Sequence, residues 1–425
     1  MRSERIHLLN DKPIRQGQYV LYLMQSSQRL QCNLALCEAV QIANETELPL
    51  LVLFHLKADY PDANYRHFKF MTDGLLKCSA EAAKLGIEFV LTDLPERELY
   101  SRYFNQAAAL ICDQGYLRPQ RKWRSDLAGK IGCWMEAIED NLIVPIASAS
   151  YKAEWSARTI RPKVMEKIPY FSIDAEIPLP AIKHAYPTDT GNNNKITGRF
   201  LETIRQKNYL PPTNLASDEH AASTALDYFI ENKLADYGQK RNDPSLAATS
   251  RLSPYLHFRQ ISPLQIISQI KEISDNTVFI EELVVLRELA HNFVWFTPRY
   301  DEYEALPSWC RQTLKDHQND PRPVVYAPEQ LENAATTDPY WNAAMNEMRQ
   351  TGYMENTMRM YWGKKIIEWS PTPEEAYTTL LRLNNRYFPD ERNTNSDTGV
   401  AWCFGLHNRP WSFHPIFGTV RTMTG

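Results

Sequence analysis

The sequence predicts a protein of two unlike halves, α/β followed by all-α: a doubly wound, Rossmann-like parallel sheet, then a helical bundle. Three observations carry this. The chain has 425 residues, more than a single hydrophobic core usually organises. In the first half, short apolar runs alternate with stretches of helical period, the pattern of βαβ units. After a proline-rich interval, the apolar spacing is almost wholly helical.

The elements follow in order. QYVLYLM (18–24) and LPLLVLFHL (48–56) are apolar runs of strand length, and NLALCEAVQIANE (33–45) between them has helical spacing. Such a unit closes with a right-handed crossover, which makes the strands parallel. The pattern continues with a helix over 67–86, strands at IEFVLTD (87–93) and AALICDQG (108–115), a helix over 121–132 and a strand at NLIVPIAS (141–148). No GxGxxG and no GxxxxGK[ST] occurs, so the usual glycine-rich phosphate cradles are missing. From Tyr170 to Ser217 the chain turns irregular, with Pro178, Pro180, Pro187, Pro211 and Pro212 around GNNNK, the composition of a surface connection. The division expected is an α/β domain over 1–170, a linker over 171–215 and a helical domain over 216–425. Helices are expected at 224–234, 262–273, 279–296, 340–350 and 372–387.

Composition narrows the function. Hydrophobic residues make up 43% and charged residues 23%, and no apolar run is long enough for a membrane span. The N-terminal MRSERIHLLNDKPIRQ places charges where a signal peptide needs an apolar stretch, so a cytoplasmic protein is expected. The 7 cysteines are scattered, without CxxC or Cys/His ligand spacing, which points to reduced thiols and no metal site. With a net charge of -4, any nucleic-acid contact must be local. Candidates are RPQRKWR (118–124) and the group Arg158, Arg161 and Lys163, each of which reads first as solvated surface.

The segment WNAAMNEMRQTGYMENTMRMYWGKKIIEW (341–369) sets Trp341, Trp362 and Trp369 beside Arg359 and Met360. Trp362 and Trp369 are two turns apart on one helix face, roughly 10 Å of rise and within reach of an electron hop. Tryptophan and methionine at helical spacing are more often plain core, so the stripe alone decides nothing. In ATSRLSPYLHFRQIS (248–262), Thr249, Ser250 and Ser253 stand with Arg251 where a helix begins, a place suited to phosphate. Ordinary N-capping explains that loop equally well.

The company of these segments is more specific. Asn356 precedes Arg359, Asp390 follows, and Trp402 and Trp411 come soon after. Tyr237 and RNDP (241–244) stand upstream of TSRLSPYL. Together with FIEELVVLRELAHNF, TDPYWNAAM, MRMYWGKKIIEW, LNNRY, FGTVR, SARTIRPK and DYPDANYRH, they make the chain resemble the photolyase/cryptochrome family over nearly its whole length. The likeness is strongest to class II cyclobutane pyrimidine dimer (CPD) photolyases.

The resemblance implies a carbon-carbon lyase that repairs pyrimidine dimers in DNA with light and reduced FAD; the sequence leaves the oligomeric state open, with a monomer as the expectation. The first domain would carry an antenna pigment, a deazaflavin or a folate, or none. Tyr237, Thr249, Ser250, Leu252 and Ser253 would hold the flavin phosphates and ribityl chain, with Arg287 and Asn356 nearby. An Arg359–Asp390 pair would stand beside the flavin ring, where a fixed positive charge favours the reduced anion. Asn384 would face flavin N5, with Asn385 as the alternative register. Trp362, Trp341 and Trp369 would be the proximal, middle and distal members of an electron chain. For the lesion, Glu282 would hydrogen-bond a dimer carbonyl, with Glu281 as the register alternative. Met360 would pack on it, Trp402 and Trp411 would wall it, and Arg241 would contact the strand.

The chain also departs from the family pattern. Arg259 stands where glycine is usual and His291 where aspartate is usual. Asn408 replaces an expected aspartate, Leu286 a larger residue, and ERNTNSD (391–397) a GRDPNGY-like run. Asn356 departs as well. Two other classes of function therefore stay open: a cryptochrome-type blue-light receptor, and a flavoenzyme of this fold with another substrate.

Overall fold

The computed structural model describes residues 1–186, 191–273 and 276–423; Pro187, counted above in the proline-rich interval, lies outside the described residues. One sheet is formed by β1 (Ile6–Leu8), β2 (Tyr19–Leu23), β3 (Leu50–His55), β4 (Glu88–Thr92), β5 (Ala107–Asp113) and β6 (Trp134–Ile138). Its order is β1-β6-β5-β2-β3-β4. All neighbours are parallel except the antiparallel β1–β6 pair at the edge. The chain runs outward from β2 through β3 to β4, then returns to β5 and β6 on the other side, which is the doubly wound arrangement. Helices then cover both faces, and for that reason every residue of β2 and β5 is buried and apolar runs replace alternation. Helix α1 (Leu34–Glu45) is capped by Asn33, whose side chain accepts from the Leu36 amide, and α2 (Tyr65–Lys84) by Asn64.

The structure corrects two expectations here and adds one strand. The last strand is Trp134–Ile138, not NLIVPIAS, which is a buried loop ending in the short helix Ile146–Ala149. That loop meets its backbone needs through side chains. Glu288 accepts from the Ile143 and Val144 amides, Glu139 accepts from Ile146, and Arg5 donates to the Leu142 and Ile143 carbonyls. The edge strand β1 has only three residues, too few for a sequence period. The interval read as irregular holds a 17-residue helix, Gly191–Lys207. Its Phe200 and Ile204 are buried, and its Asn193 bonds the Leu91 amide and Phe89 carbonyl of the sheet edge.

Helix α3 (Arg118–Lys130) carries the first basic run, and the helix Gly191–Lys207 is α4. The second half is built on α5 (Arg287–Phe296), α6 (Pro339–Thr351), α7 (Asn356–Trp369), α8 (Pro373–Tyr387) and α9 (Thr394–Cys403). The 341–369 segment is two helices, split at Gly352, whose φ of 76° is the left-handed cap glycine provides. The helix expected over 279–296 contains a wide π turn at Glu281–Leu286, a form that often marks functional sites. Among the described residues, no helix is long and apolar enough to cross a membrane.

The halves are joined by buried arginine. Arg66, on α2, donates to the carbonyls of Pro211, Met348, Arg349 and Tyr387. The basic run on α3 is engaged inside the molecule: Arg118 pairs with Asp301, Arg121 stacks over Trp295, and Arg124 is buried against the Asp113 carbonyl. Arg161 pairs with Glu281 and Lys163 with Glu154.

Candidate active site

A cavity of about 670 Å³ lies among the π turn, α5, α7, α8, α9 and the chain end, inside the ~300–1,000 Å³ span of ligand pockets. Its wall gathers residues from distant parts of the sequence. Tyr237, Ser250 and Ser253 stand on it with Arg287 and Asn356, and so do Arg359, Asn384 and Asp390. Glu282, Met360, Arg241 and Trp402 belong to the same wall. Three assigned residues lie off the wall. Thr249 is off the wall, bonded to the Tyr353 hydroxyl at 3.3 Å, and Leu252 is buried in the apolar core. Trp411 is 46% exposed with Arg421 stacked 5.0 Å from its ring, and only Arg421 reaches the wall. Arg287 does line the cavity, but its guanidinium is committed to Asn141. The helix at Ser253 has five residues, so little macrodipole backs the phosphate reading.

The charged cluster is well defined. Arg359 Nη2 donates to both Asp390 oxygens at 3.1 and 3.0 Å, and Nη1 donates to Glu391 Oε1 at 2.9 Å. The guanidinium lies 3.8 Å from the Phe388 ring centre. Burial opposes its charge, but Asp390 and Glu391 outweigh burial and push its pKa up. Burial and the Asp390 charge push Glu391 up to about 7. Asn384 lines the cavity and its Nδ2 donates to Ser396 Oγ at 2.9 Å, whereas Asn385, off the wall, accepts from the Arg392 amide and the Ser396 hydroxyl. That difference settles which asparagine faces the cavity.

The three tryptophans form one stack. Trp362 and Trp341 are 6.3 Å apart at 16°, and Trp341 and Trp369 are 5.6 Å apart at 68°. Trp341, from α6, thus sits between two residues of α7. Trp341 Nε1 donates to the Trp362 carbonyl, while Trp362 Nε1 is buried without a partner and its residue lines the cavity. Trp341 and Trp369 lie behind the wall.

The π turn separates the two adjacent glutamates. Glu281 faces Arg161 at the surface, and Glu282 meets Arg241 at 2.5 Å on the cavity wall. Burial raises the Glu282 pKa, and Arg241 works against that rise.

Comparison with known proteins agrees with this architecture. The family model described as DNA photolyase matches residues 20–181. The chain is 39% identical to the deoxyribodipyrimidine photo-lyase of Methanothermobacter thermautotrophicus, over 100% of this chain and 94% of that one. The chain belongs to the DNA photolyase family. Against the photo-lyase of Arabidopsis thaliana this family member is 34% identical, over 95% of its own length and 85% of the relative's. A class III photolyase from Agrobacterium tumefaciens has the same fold at a TM-score of 0.67 and 18% identity, covering 94% of this chain and 83% of that one. So does an archaeal photolyase from Sulfolobus tokodaii, solved with two FAD molecules, at 0.68 and 17%, covering 91% and 83%.

The departures of this photolyase-family chain now have places. Leu286 and Asn408 line the cavity. His291 lies behind it, bonded to Asn141 and Thr394, and burial pushes its pKa far down so that the ring is neutral. Arg259 lies elsewhere, on a second cavity of about 340 Å³ shared with Trp123, Tyr60, Arg124 and Arg392. Its φ of 52° is the left-handed region that explains glycine's usual presence there. Two wall residues escaped the sequence reading. Glu391 was noted only as a departure. Lys364, not singled out in the sequence, is 3% exposed, bonded to the Cys403 carbonyl and lowered by burial to about 8.

Proposed function

We propose that the protein is a light-driven DNA repair enzyme that splits cyclobutane pyrimidine dimers, with FAD held in the 670 Å³ cavity. The observation that carries this reading is that one wall bears both the flavin-side set (Arg359, Asp390, Asn384, Trp362) and the lesion-side set (Glu282, Met360, Trp402). The residues fit a flavin. Tyr237, Ser250 and Ser253 offer hydroxyls to phosphate and ribityl oxygens. Arg359 supplies a fixed cation to a ring that becomes negative on reduction, and Asn384 has an amide able to donate or accept at N5. Reduced FAD, when bound, lends a photoexcited electron to the dimer and takes it back once the cyclobutane bonds have split, with no net oxidation.

The chain's own residues do the remaining work. Glu282, its protonated form favoured by burial, donates a hydrogen bond to a dimer carbonyl, where negative charge develops. Arg241 holds that carboxyl and meets the DNA backbone. Met360 and Trp402 pack against a lesion flipped from the duplex, which a crosslinked, poorly stacked pair leaves at a cost of a few kcal/mol. The tryptophan stack carries electrons inward from the surface to reduce the resting cofactor. In the second cavity, the flat faces of Trp123 and Tyr60 beside Arg124, Arg259 and Arg392 suit an aromatic, anionic antenna pigment.

The test is direct. Reduced protein is illuminated with blue light in the presence of a thymine-dimer oligonucleotide, and absorbance at 260 nm is followed. A rise is expected. Flavin bleaching without that rise would replace repair by a receptor or another substrate.

A further inference from the structure

Arg359 carries two carboxylates where one would neutralise it: Asp390 takes Nη2 and Glu391 takes Nη1. The second oxygen of Glu391, Oε2, is buried with no hydrogen-bond partner, and its residue lines the large cavity. A buried carboxylate oxygen with no donor among the protein's own groups is costly, and a proton on it lowers that cost. The charged groups around Glu391 are Arg359 from α7, Asp390 and Arg392 from its own segment, and Asp397 from α9, with the neutral amide of Asn384 from α8. Arg392 spends its guanidinium on the carbonyls of Asn385 and Phe388. Asp397 does not line the cavity. With Glu391 ionised, the Arg359 pairings carry one excess negative charge; with Glu391 protonated, they are neutral.

We propose that Glu391 takes up the proton that offsets the negative charge the cofactor gains on reduction, acting as the charge-balancing residue of this cavity. The proposal rests on the cavity being a flavin site. The balance is simple when a thiol is the reductant. Two thiols form one disulfide and release two electrons and two protons. The electrons and one proton go to the flavin ring, and the other proton bonds to Glu391 Oε2, converting carboxylate to acid; reoxidation reverses both transfers. Burial and Asp390 already hold Glu391 up at about 7, so both forms are accessible near neutrality, and a further negative charge close by raises it more.

The experiment is a titration of the flavin midpoint potential against pH in wild type, Glu391→Gln and Glu391→Asp. Above pH ~7 the wild type is expected to lose potential with rising pH more steeply than Glu391→Gln, by one proton per reduction, and Glu391→Asp keeps the steeper slope. Equal slopes in wild type and Glu391→Gln, with flavin bound to both, would overturn the proposal alone. Wild-type protein that binds no flavin would overturn the cofactor reading and the proposal with it. The apoprotein gives a separate reading. A raised acid pKa means the folded chain keeps a proton that the unfolded chain loses between 4.5 and about 7, so wild type loses stability across that window. Glu391→Gln keeps the loss that Glu288 contributes but is expected to lose less stability than wild type over that window, and an identical loss in the variant would also overturn the proposal.

Discussion

Trp362 joins two structures at once: its ring stacks on Trp341 and its residue lines the cavity. Phenylalanine keeps most of that packing but is far harder to oxidise than indole. Each ~1.4 kcal/mol added to a barrier costs about tenfold, so Trp362→Phe is expected to slow thiol-driven photoreduction by at least that factor while flavin stays bound. Reduction at the wild-type rate would remove Trp362 from the path. The neighbouring glutamates make a sharper pair. Glu282 is on the wall and Glu281 on the surface, and a hydrogen bond from a charged or acid partner is worth about 1.5–3 kcal/mol. Glu282→Leu, which has no donor, is therefore expected to lower dimer splitting roughly 10- to 100-fold, with Glu281→Gln near wild type. Because the acid form donates, repair by wild type falls as pH rises, and Glu282→Gln loses that dependence. A pH profile shared by both proteins would assign the donor elsewhere. The tryptophans stood out by residue type, whereas Glu282 came only with the family resemblance and with Glu281 as its alternative. Glu391 stayed hidden because the second pairing of Arg359 depends on how the segment after α8 turns, which no spacing encodes.

At the scale of elements, periodicity identified what was long and amphipathic and missed what is held by side chains. The central strands and α5 to α8 have apolar faces that repeat, so the doubly wound sheet and the helical half were legible. The loop at 141–148 is as apolar as a strand, yet Glu288 and Arg5 take its backbone groups and bar it from the sheet. Helix α4 was missed because GNNNK and the surrounding prolines outweighed the buried Phe200 and Ile204 that follow. The π turn is likewise invisible to a 3.6-residue period. Glu288 gives the loop a measurable signature. Burial pushes its pKa up to about 8 from 4.5, so the folded protein holds a proton that the unfolded chain releases above 4.5. Stability from this group is therefore full at low pH and lost as pH rises toward 8. Glu288→Gln, whose amide oxygen can still accept from Ile143 and Val144, is expected to lose less stability over that range in denaturant titrations. Parallel pH profiles would mean that Glu288 is ionised in the folded protein.

At the scale of the molecule, the sheet and the helical half are tied at Arg66, which is 0% exposed and donates to four carbonyls from three separate segments. Burial lowers its pKa only to about 10, so it remains a cation at neutral pH, stabilised by carbonyl dipoles instead of a carboxylate. Methionine at this position would fill comparable space but leave those carbonyls without donors, at about 1–3 kcal/mol for each group left unsatisfied. Arg66→Met is expected to destabilise the protein by about 3 kcal/mol or more in urea unfolding. The loss should be seen by sheet and helical probes alike, because the lost bonds connect α2 to the ends of α6 and α8. Those same helix ends lie next to Gly352 and the Asp390–Arg359 pair, so weaker flavin retention should accompany the lost stability. A loss under about 1 kcal/mol, or destabilisation confined to one half, would show that the joint is carried by packing and not by the guanidinium.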